Sequence, residues 1–144
     1  MAKSPRALLH AARLADALLF WPALAFVVWG QLQPDVPETI SAVDDKVLHF
    51  GAYFVLGAMA GGAVRRRDVA LWAGVGLILI GALVELIQAY VGRETSLLDG
   101  LTNTAGVIAG TALARLIIEP LRKRWAEPPK TADLQALRRP SVEL

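Results

Sequence analysis

Long stretches without charge dominate this sequence. Residues 17–34, 47–64, 69–92 and 100–114 together hold 75 positions, and a single one of them, Glu85, is charged. The chain nevertheless has 15 Lys and Arg and 13 Asp and Glu among its 144 residues, so its charges are concentrated between these stretches. An 18-residue helix is about 27 Å long, close to the roughly 30 Å thickness of the hydrocarbon in a bilayer. The pattern therefore predicts helices that cross a membrane.

Four such helices fit the sequence, with approximate limits of 14–31, 47–64, 69–91 and 101–118. We expect an all-α, polytopic membrane protein in which residues 1–125 form one four-helix transmembrane bundle. Composition agrees, because 55% of the residues are hydrophobic, which excludes a disordered chain and argues against a water-soluble fold. The remaining segment, 126–144, contains three prolines and is predicted to be a disordered tail.

Several other classes of protein are excluded or disfavoured. The absence of cysteine excludes disulfides, thiolate catalysis and zinc-thiolate sites, and a net charge of +2 does not favour nucleic acid as a partner. A cleaved signal peptide is the alternative interpretation of the first stretch, because Lys3, Arg6 and Arg13 precede it. However, the Ala-Leu-Ala site at residues 23–25 falls inside the apolar run, so we expect the helix to be retained.

Basic residues alternate along the chain in a way that predicts orientation. They are concentrated in the N-terminal segment, in residues 65–67 and in the C-terminal segment, whereas the other two connections contain only Lys46 and Arg93. Because cytoplasmic segments carry the excess of Lys and Arg, both termini are predicted to lie in the cytoplasm.

Local patterns support the same arrangement. Ser41 with Asp44, and Ser96 with Asp99, have the spacing of capping boxes and predict helix starts before the second and fourth spans. Two Gly-x-x-x-Gly pairs, at 57 and 61 and at 106 and 110, provide small surfaces for close helix packing. We expect this packing to occur within the bundle rather than between copies of the chain.

Polar residues of three spans are predicted to meet near the outer surface of the membrane. Asp45, His49 and Tyr53 are four residues apart and share one helix face. Glu85 indicates a site, because a carboxylate inside a bilayer normally faces a partner or a wet cavity. Its candidate partners are Lys46, His49 and Arg93. The full predicted set is Asp45, Lys46, His49, Tyr53, Glu85, Gln88, Arg93, Asp99 and Asn103.

Simpler structural roles exist for individual members of this set. Asp44 and Asp99 could serve as helix caps, Arg93 could pair with Asp99, and Asn103 could bond neighbouring helices. A hydrogen bond between His49 and Asp45 would likewise need no ligand. The convergence of all these residues, rather than any one of them, favours a site.

The ordered pattern resembles the signature of the VanZ-like family of bacterial membrane proteins. The resemblance covers about residues 40–115, and its motif reads Asp45-Lys46-x-x-His49-Phe50-x-x-Tyr53, Glu85-x-x-Gln88, Arg93, Asp99-x-x-x-Asn103-x-x-Gly106-x-x-x-Gly110. Members often have Pro-Gly before the arginine, where this chain has Val91-Gly92. The resemblance implies a small helical protein of the bacterial cytoplasmic membrane and a possible link to resistance against the glycopeptide teicoplanin.

Three functions are consistent with the predicted site. The first is binding of a lipid, a lipid-linked envelope precursor or a glycopeptide-related ligand at the outer surface, with ligand contacts from Lys46, Tyr53, Gln88, Arg93, Asp99 and Asn103. The second is a membrane-embedded hydrolase or transferase acting on a lipid-linked substrate, in which His49, Asp45 and Glu85 are the acid-base groups. The third is ion transport through Glu85, which the apolar inner halves of the spans disfavour.

No cofactor is expected, and a metal site is a minor variant of the catalytic hypothesis. It would combine His49 with Asp45, Glu85 or Asp99 around Mg²⁺ or Mn²⁺, but a single histidine in the set makes this a weak indication. The oligomeric state is left open.

Overall fold

The computed structural model describes residues 5–33, 45–91 and 96–126, which are helical apart from short turns. Helix α1 is Pro5–Gln31, α2 is Asp45–Ala63, α3 is Arg67–Tyr90 and α4 is Leu97–Leu113. Helix α4 continues through a π-helical turn, Ala114–Ile118, into α5, Glu119–Ala126. The expectation of an all-α structure is confirmed for the described residues, and α1 to α4 overlap the four predicted spans.

Three of the described helical segments are long and apolar enough to cross a membrane: Arg6–Gln31, Arg67–Tyr90 and Leu97–Ala126. Helix α2 is not among them, although the sequence predicts a span there. Its first residues are polar and it contains four glycines, which lower its mean hydropathy. The finding supports a membrane protein, and the predicted span at α2 stays a prediction.

Large apolar side chains cover the outward faces of the helices. On α3, Trp72, Leu79 and Leu86 are spaced seven residues apart and are 73%, 65% and 66% exposed. Residues at this spacing share one helix face, so α3 presents a continuous apolar stripe away from the other helices. Such a stripe is unfavourable in water and is typical of a lipid-facing surface.

Helix α2 lies at the centre of the packing and contacts α1, α3 and α4. Glycines allow its close approach to α4: a Cβ atom at Gly57 would lie 2.6 Å from the carbonyl oxygen of Val107, and one at Gly106 would lie 2.5 Å from that of Phe50. Any larger residue would push the two backbones apart. The predicted use of the glycine pairs for packing within the chain is confirmed.

The ends of the fourth helical segment follow from local sequence. Ser96 caps α4, because its Oγ accepts a hydrogen bond from the amide of Leu98 at 3.2 Å, and the predicted helix start is confirmed. The π-helical turn precedes Pro120, whose ring and missing N–H disrupt a regular α-helical turn. The other predicted cap, Ser41 with Asp44, and residues 127–144 of the predicted tail lie outside the described residues.

Candidate functional site

Polar side chains from four helices meet where α1 and α3 end and α2 and α4 begin. We call this group the polar cluster; its members are Gln31, Asp45, Lys46, His49, Tyr53, Glu85, Gln88, Asp99 and Asn103. The up-and-down order of the helices brings these termini to one end of the structure. Gln31, His49, Tyr53, Gln88, Asp99 and Asn103 are buried. A group of buried polar side chains of this size requires partners, because an unpaired polar atom away from water is unfavourable.

His49 is at the centre of the polar cluster. Its Nδ1 lies 3.1 Å from Oδ1 of Asn103 and 3.6 Å from Oε1 of Glu85. The amide nitrogen of Asn103 donates a hydrogen bond to the same Glu85 oxygen at 3.1 Å. Asn103 therefore links the imidazole to the carboxylate, and α2, α3 and α4 are joined through these three side chains. Of the two predicted partners of Glu85 that the structure describes, Lys46 and His49, it is His49 that lies at this distance.

Gln31, at the end of α1, is a member that the sequence did not single out. Its carbonyl oxygen accepts a hydrogen bond from Gln88 Nε2 at 2.8 Å, and its side-chain Oε1 accepts one from the Tyr53 hydroxyl at 3.3 Å. Its Nε2 lies 3.4 Å from Nδ1 of His49. Gln31 belongs to α1, which contributes no residue to the predicted set. Its position at the C-terminal end of the first apolar stretch was the available signal.

Three charged residues form the rim of the polar cluster. Asp45 Oδ2 lies 3.4 Å from Nε2 of His49, on the opposite edge of the ring from Glu85. Lys46 Nζ lies 3.8 Å from Oδ1 of Asp99. The side chains of Asp45 and Lys46 are about half exposed, whereas Asp99 is buried. The rim thus gives the buried groups a charged, accessible edge.

Two carboxylate oxygens in the polar cluster have no hydrogen-bond donor among the described residues. They are Oε2 of Glu85 and Oδ1 of Asp99, and both atoms are buried. Buried acceptors are normally satisfied, and leaving one unsatisfied costs roughly 1–3 kcal/mol. These oxygens could accept hydrogen bonds from a ligand with hydroxyl, amide or ammonium groups, or could coordinate a cation.

The structure brings together eight of the nine predicted site residues. The ninth, Arg93, lies outside the described residues, as does its possible pairing with Asp99. Lys46, predicted as a partner of Glu85, lies beside Asp99 instead. Within the described part of the site, three carboxylates accompany one lysine, which makes the cluster richer in acid than the sequence pattern with Arg93 indicates.

A second group of charged residues lies at the opposite end of the helices, where α1 begins and α5 is located. We call it the charge-paired cluster; its members are Arg13, Asp16, Glu119, Arg122 and Lys123. Buried Arg13 pairs with buried Glu119. Arg122 Nη1 lies 2.7 Å from Oδ2 of Asp16, and Lys123 Nζ lies 3.7 Å from Oε1 of Glu119. Each acid in this cluster faces at least one base.

Arg115, in the π-helical turn that follows α4, bonds to backbone near this same end. Its guanidinium donates to the carbonyl oxygens of Gly61, Val64 and Arg65 at 3.4, 2.9 and 3.1 Å. These carbonyls belong to the end of α2 and the turn after it, where intrahelical donors are lacking. Arg115 therefore fastens the end of α2 to the fourth helical segment.

Comparisons with models of known protein families, with curated proteins and with solved structures found no match for this chain. The function must therefore be argued from the residues and geometry of the polar cluster.

Proposed function

We propose that this chain is a VanZ-like protein of the bacterial cytoplasmic membrane whose polar cluster binds the headgroup of a lipid or a lipid-linked envelope precursor. The observation that carries the proposal is the pair of buried, unsatisfied carboxylate oxygens of Glu85 and Asp99. They lie in a cluster to which four helices contribute. A chain that needed only a stable bundle would gain by replacing such groups with apolar ones.

The proposed topology places the polar cluster at the outer surface. Helices α1 to α4 each cross the membrane, and both termini lie in the cytoplasm. The basic residues at positions 65–67 and the C-terminal basic residues then face the cytoplasm, as the positive-inside rule requires. The polar cluster opens toward the headgroup region of the outer leaflet, where a lipid-linked ligand can reach it by lateral diffusion.

The chemistry of the cluster favours a headgroup rich in hydrogen-bond donors. Glu85 and Asp99 supply acceptor oxygens, and the rim lysine, Lys46, can contact a phosphate or carboxylate. Sugar hydroxyls, peptide amides and amino groups are donors of the required kind. A lipid-linked sugar or sugar–peptide precursor combines these donors with a phosphate, so it uses both the buried acceptors and the rim cation.

Binding can be tested with the purified full-length protein in lipid nanodiscs and a fluorescent polyprenyl-linked sugar–peptide precursor. Glu85→Gln preserves shape but removes the charge, and it should weaken binding by about tenfold or more. Asp68→Asn is the matched control, because Asp68, in the first turn of α3, is an exposed carboxylate that pairs with Arg66 just before the helix. Equal affinity of the wild type and Glu85→Gln would contradict the proposal.

Topology can be tested by thiol labelling in intact cells, because the chain has no cysteine of its own. A single cysteine at Leu97, which is 91% exposed, should react with a membrane-impermeant maleimide from outside. A cysteine at Arg66, also exposed, should react only after the membrane is opened. The reverse pattern would place the polar cluster at the cytoplasmic surface and contradict the proposed orientation.

The proposed link to glycopeptides can be tested separately. Expression of the chain in a susceptible bacterium should raise the concentration of teicoplanin needed to stop growth, and Glu85→Gln and Arg93→Ala should abolish that increase. Membrane levels of each variant are measured by immunoblotting. If both variants protect as well as the wild type, the polar cluster is not responsible for resistance.

Catalysis is the second candidate, and the position of His49 favours it. Asp45 lies at one ring nitrogen and Glu85 at the other, so the imidazole is held between two carboxylates. This arrangement could transfer a proton during hydrolysis or group transfer on a lipid-linked substrate. Release of a labelled headgroup by the purified protein, lost in His49→Gln, would support an enzyme. Binding without release over many hours would support the binding function alone.

A further inference from the structure

Three side chains of the polar cluster have the arrangement of metal ligands. Asp45, His49 and Asp99 each offer one ligand atom, and these atoms all lie within 4.8 Å of one another. Two of them, His49 Nε2 and Asp45 Oδ2, are 3.4 Å apart. Ligands about 2.1 Å from one metal ion are separated by roughly 3 Å when adjacent and about 4 Å when opposite. The Asp45–His49 distance already falls in this range, and the 4.8 Å limit for the three atoms is less than 1 Å above it.

The burial and hydrogen bonding of Asp99 provide a second observation that favours a bound cation. Its side chain is 9% exposed, and its buried Oδ1 accepts no hydrogen bond from any residue that the structure describes. The ammonium of Lys46 lies 3.8 Å away, beyond hydrogen-bond distance. A buried, ionised carboxylate needs a closer positive charge than this. Helix α4 thus places a buried carboxylate with an unsatisfied oxygen beside the His49 and Asp45 pair on α2.

We propose that Asp45, His49 and Asp99 bind a divalent metal ion between the starts of α2 and α4. One imidazole and two carboxylates suit Mn²⁺ or Zn²⁺ better than Mg²⁺ or Ca²⁺, which prefer oxygen ligands alone. The exposed side of the rim leaves coordination positions for water or for a ligand oxygen. This site does not depend on the proposed binding of a lipid headgroup, because the three protein ligands are sufficient to define it.

Lys46 has a specific role in this proposal. Its ammonium occupies the space beside Asp99 and competes with the metal ion for the same carboxylate. The side chain is 49% exposed and has a flexible stem, so it can swing into solvent when the ion binds. Removing its charge should therefore strengthen metal binding, an effect opposite to that of removing a ligand.

The test uses the purified full-length protein in detergent, stripped of metal with a chelator. Binding of Mn²⁺ is followed by electron paramagnetic resonance and binding of Zn²⁺ by titration calorimetry. We expect one ion per chain, and at least about tenfold weaker binding in Asp45→Asn, Asp99→Asn and His49→Gln. Matched controls are Asp68→Asn and His10→Gln; His10 is the other of the two histidines and is exposed on α1. Both controls should bind like the wild type.

Lys46→Gln makes the test independent of folding, because a folding defect cannot tighten binding. We expect this variant to bind Mn²⁺ more tightly than the wild type. The proposal is overturned if the wild type binds neither ion below about 1 mM. It is also overturned if Asp45→Asn and Asp99→Asn bind like the wild type, or if Lys46→Gln binds more weakly than the wild type. Failure of headgroup binding with metal binding intact would contradict only the proposed function.

Discussion

The polar cluster and the charge-paired cluster lie at opposite ends of the same helices and satisfy their charges differently. In the charge-paired cluster, Arg13 faces Glu119 and Arg122 faces Asp16, so opposite charges are in direct contact. In the polar cluster, His49 lies between Asp45 and Glu85, and oxygens of Glu85 and Asp99 accept no hydrogen bond among the described residues. The charge-paired cluster also contains a buried carboxylate oxygen without a donor among the described residues, Oε2 of Glu119, but that carboxylate contacts Arg13 directly. The hydrogen bond to Glu85 in the polar cluster comes from a neutral amide instead, so the charges at that end are less completely paired.

This difference indicates that the two ends have different roles. The charge-paired cluster joins α1 to α5, which are far apart in sequence, and its removal should affect stability. The polar cluster joins four helices, and among the described residues its buried Glu85 and Asp99 lack the direct contact with an arginine that Glu119 has, which is typical of sites that sacrifice stability for function. Four substitutions test this comparison, and they are given in order of decreasing expected effect.

Arg13→Leu should have the largest effect on stability. It leaves the Glu119 carboxylate buried, with only the more distant Lys123, and breaking a buried pair in this way costs about 3 kcal/mol or more. Unfolding by SDS, followed by circular dichroism, measures the loss. The double variant with Glu119→Leu should recover most of it, since both charges are then absent. Simple addition of the two losses would show that the pair does not act as a unit.

Gly106→Ala should have the next largest effect, because it separates α2 from α4 beside the polar cluster. The new methyl group would meet the backbone of Phe50, and overpacking of this kind costs about 1–3 kcal/mol. Gly76→Ala on α3 is the matched control, since a Cβ atom there meets nothing within 4 Å. It should be neutral or slightly stabilising. Equal stability of the two variants in the same SDS assay would contradict the close packing of α2 and α4.

Ser96→Ala removes the side-chain cap at the start of α4. The free amide of Leu98 then loses its acceptor, and the expected loss of stability is about 1 kcal/mol. Ser96→Asp, which retains a capping oxygen, should restore stability to near the wild-type value. If Ser96→Asp is as unstable as Ser96→Ala, then Ser96 does not stabilise α4 as a cap.

Glu85→Gln should have the smallest effect on stability, although it is expected to reduce ligand binding strongly. The side-chain oxygen of the new glutamine can still accept the hydrogen bond from Asn103, and the substitution removes a charge from a partly buried position. We expect the free energy of unfolding to change by less than about 1 kcal/mol. Destabilisation as large as that of Arg13→Leu would remove the distinction between the two clusters.

The helical pattern was predictable because α1 to α4 each overlap an apolar stretch of the sequence. The start of α1 was harder to predict, because the predicted span begins at residue 14, whereas α1 is Pro5–Gln31. The prediction excluded Arg13 because of its charge, whereas in the structure Arg13 pairs with Glu119 of α5, more than a hundred positions away. No local pattern contains that information.

The meeting of His49, Glu85 and Asn103 was also predictable, because alternating helix directions bring their ends to one surface. The exact partners were not predictable. Lys46 lies beside Asp99, and Gln31 joins the cluster through side-chain and backbone atoms. These pairings depend on helix rotation, which is determined by the contact of Gly57 and Gly106 with the facing backbone and not by residue depth alone.

The most direct test of the central claim is a comparison of thermal unfolding with and without the polyprenyl-linked sugar–peptide precursor. Ligand present at 100 times its dissociation constant stabilises a folded protein by about 2.7 kcal/mol. Wild type and Arg13→Leu should therefore show the same rise in melting temperature, from different starting values, while Glu85→Gln should show almost none. A full rise in Glu85→Gln, or its loss in Arg13→Leu alone, would contradict the assignment of binding to the polar cluster.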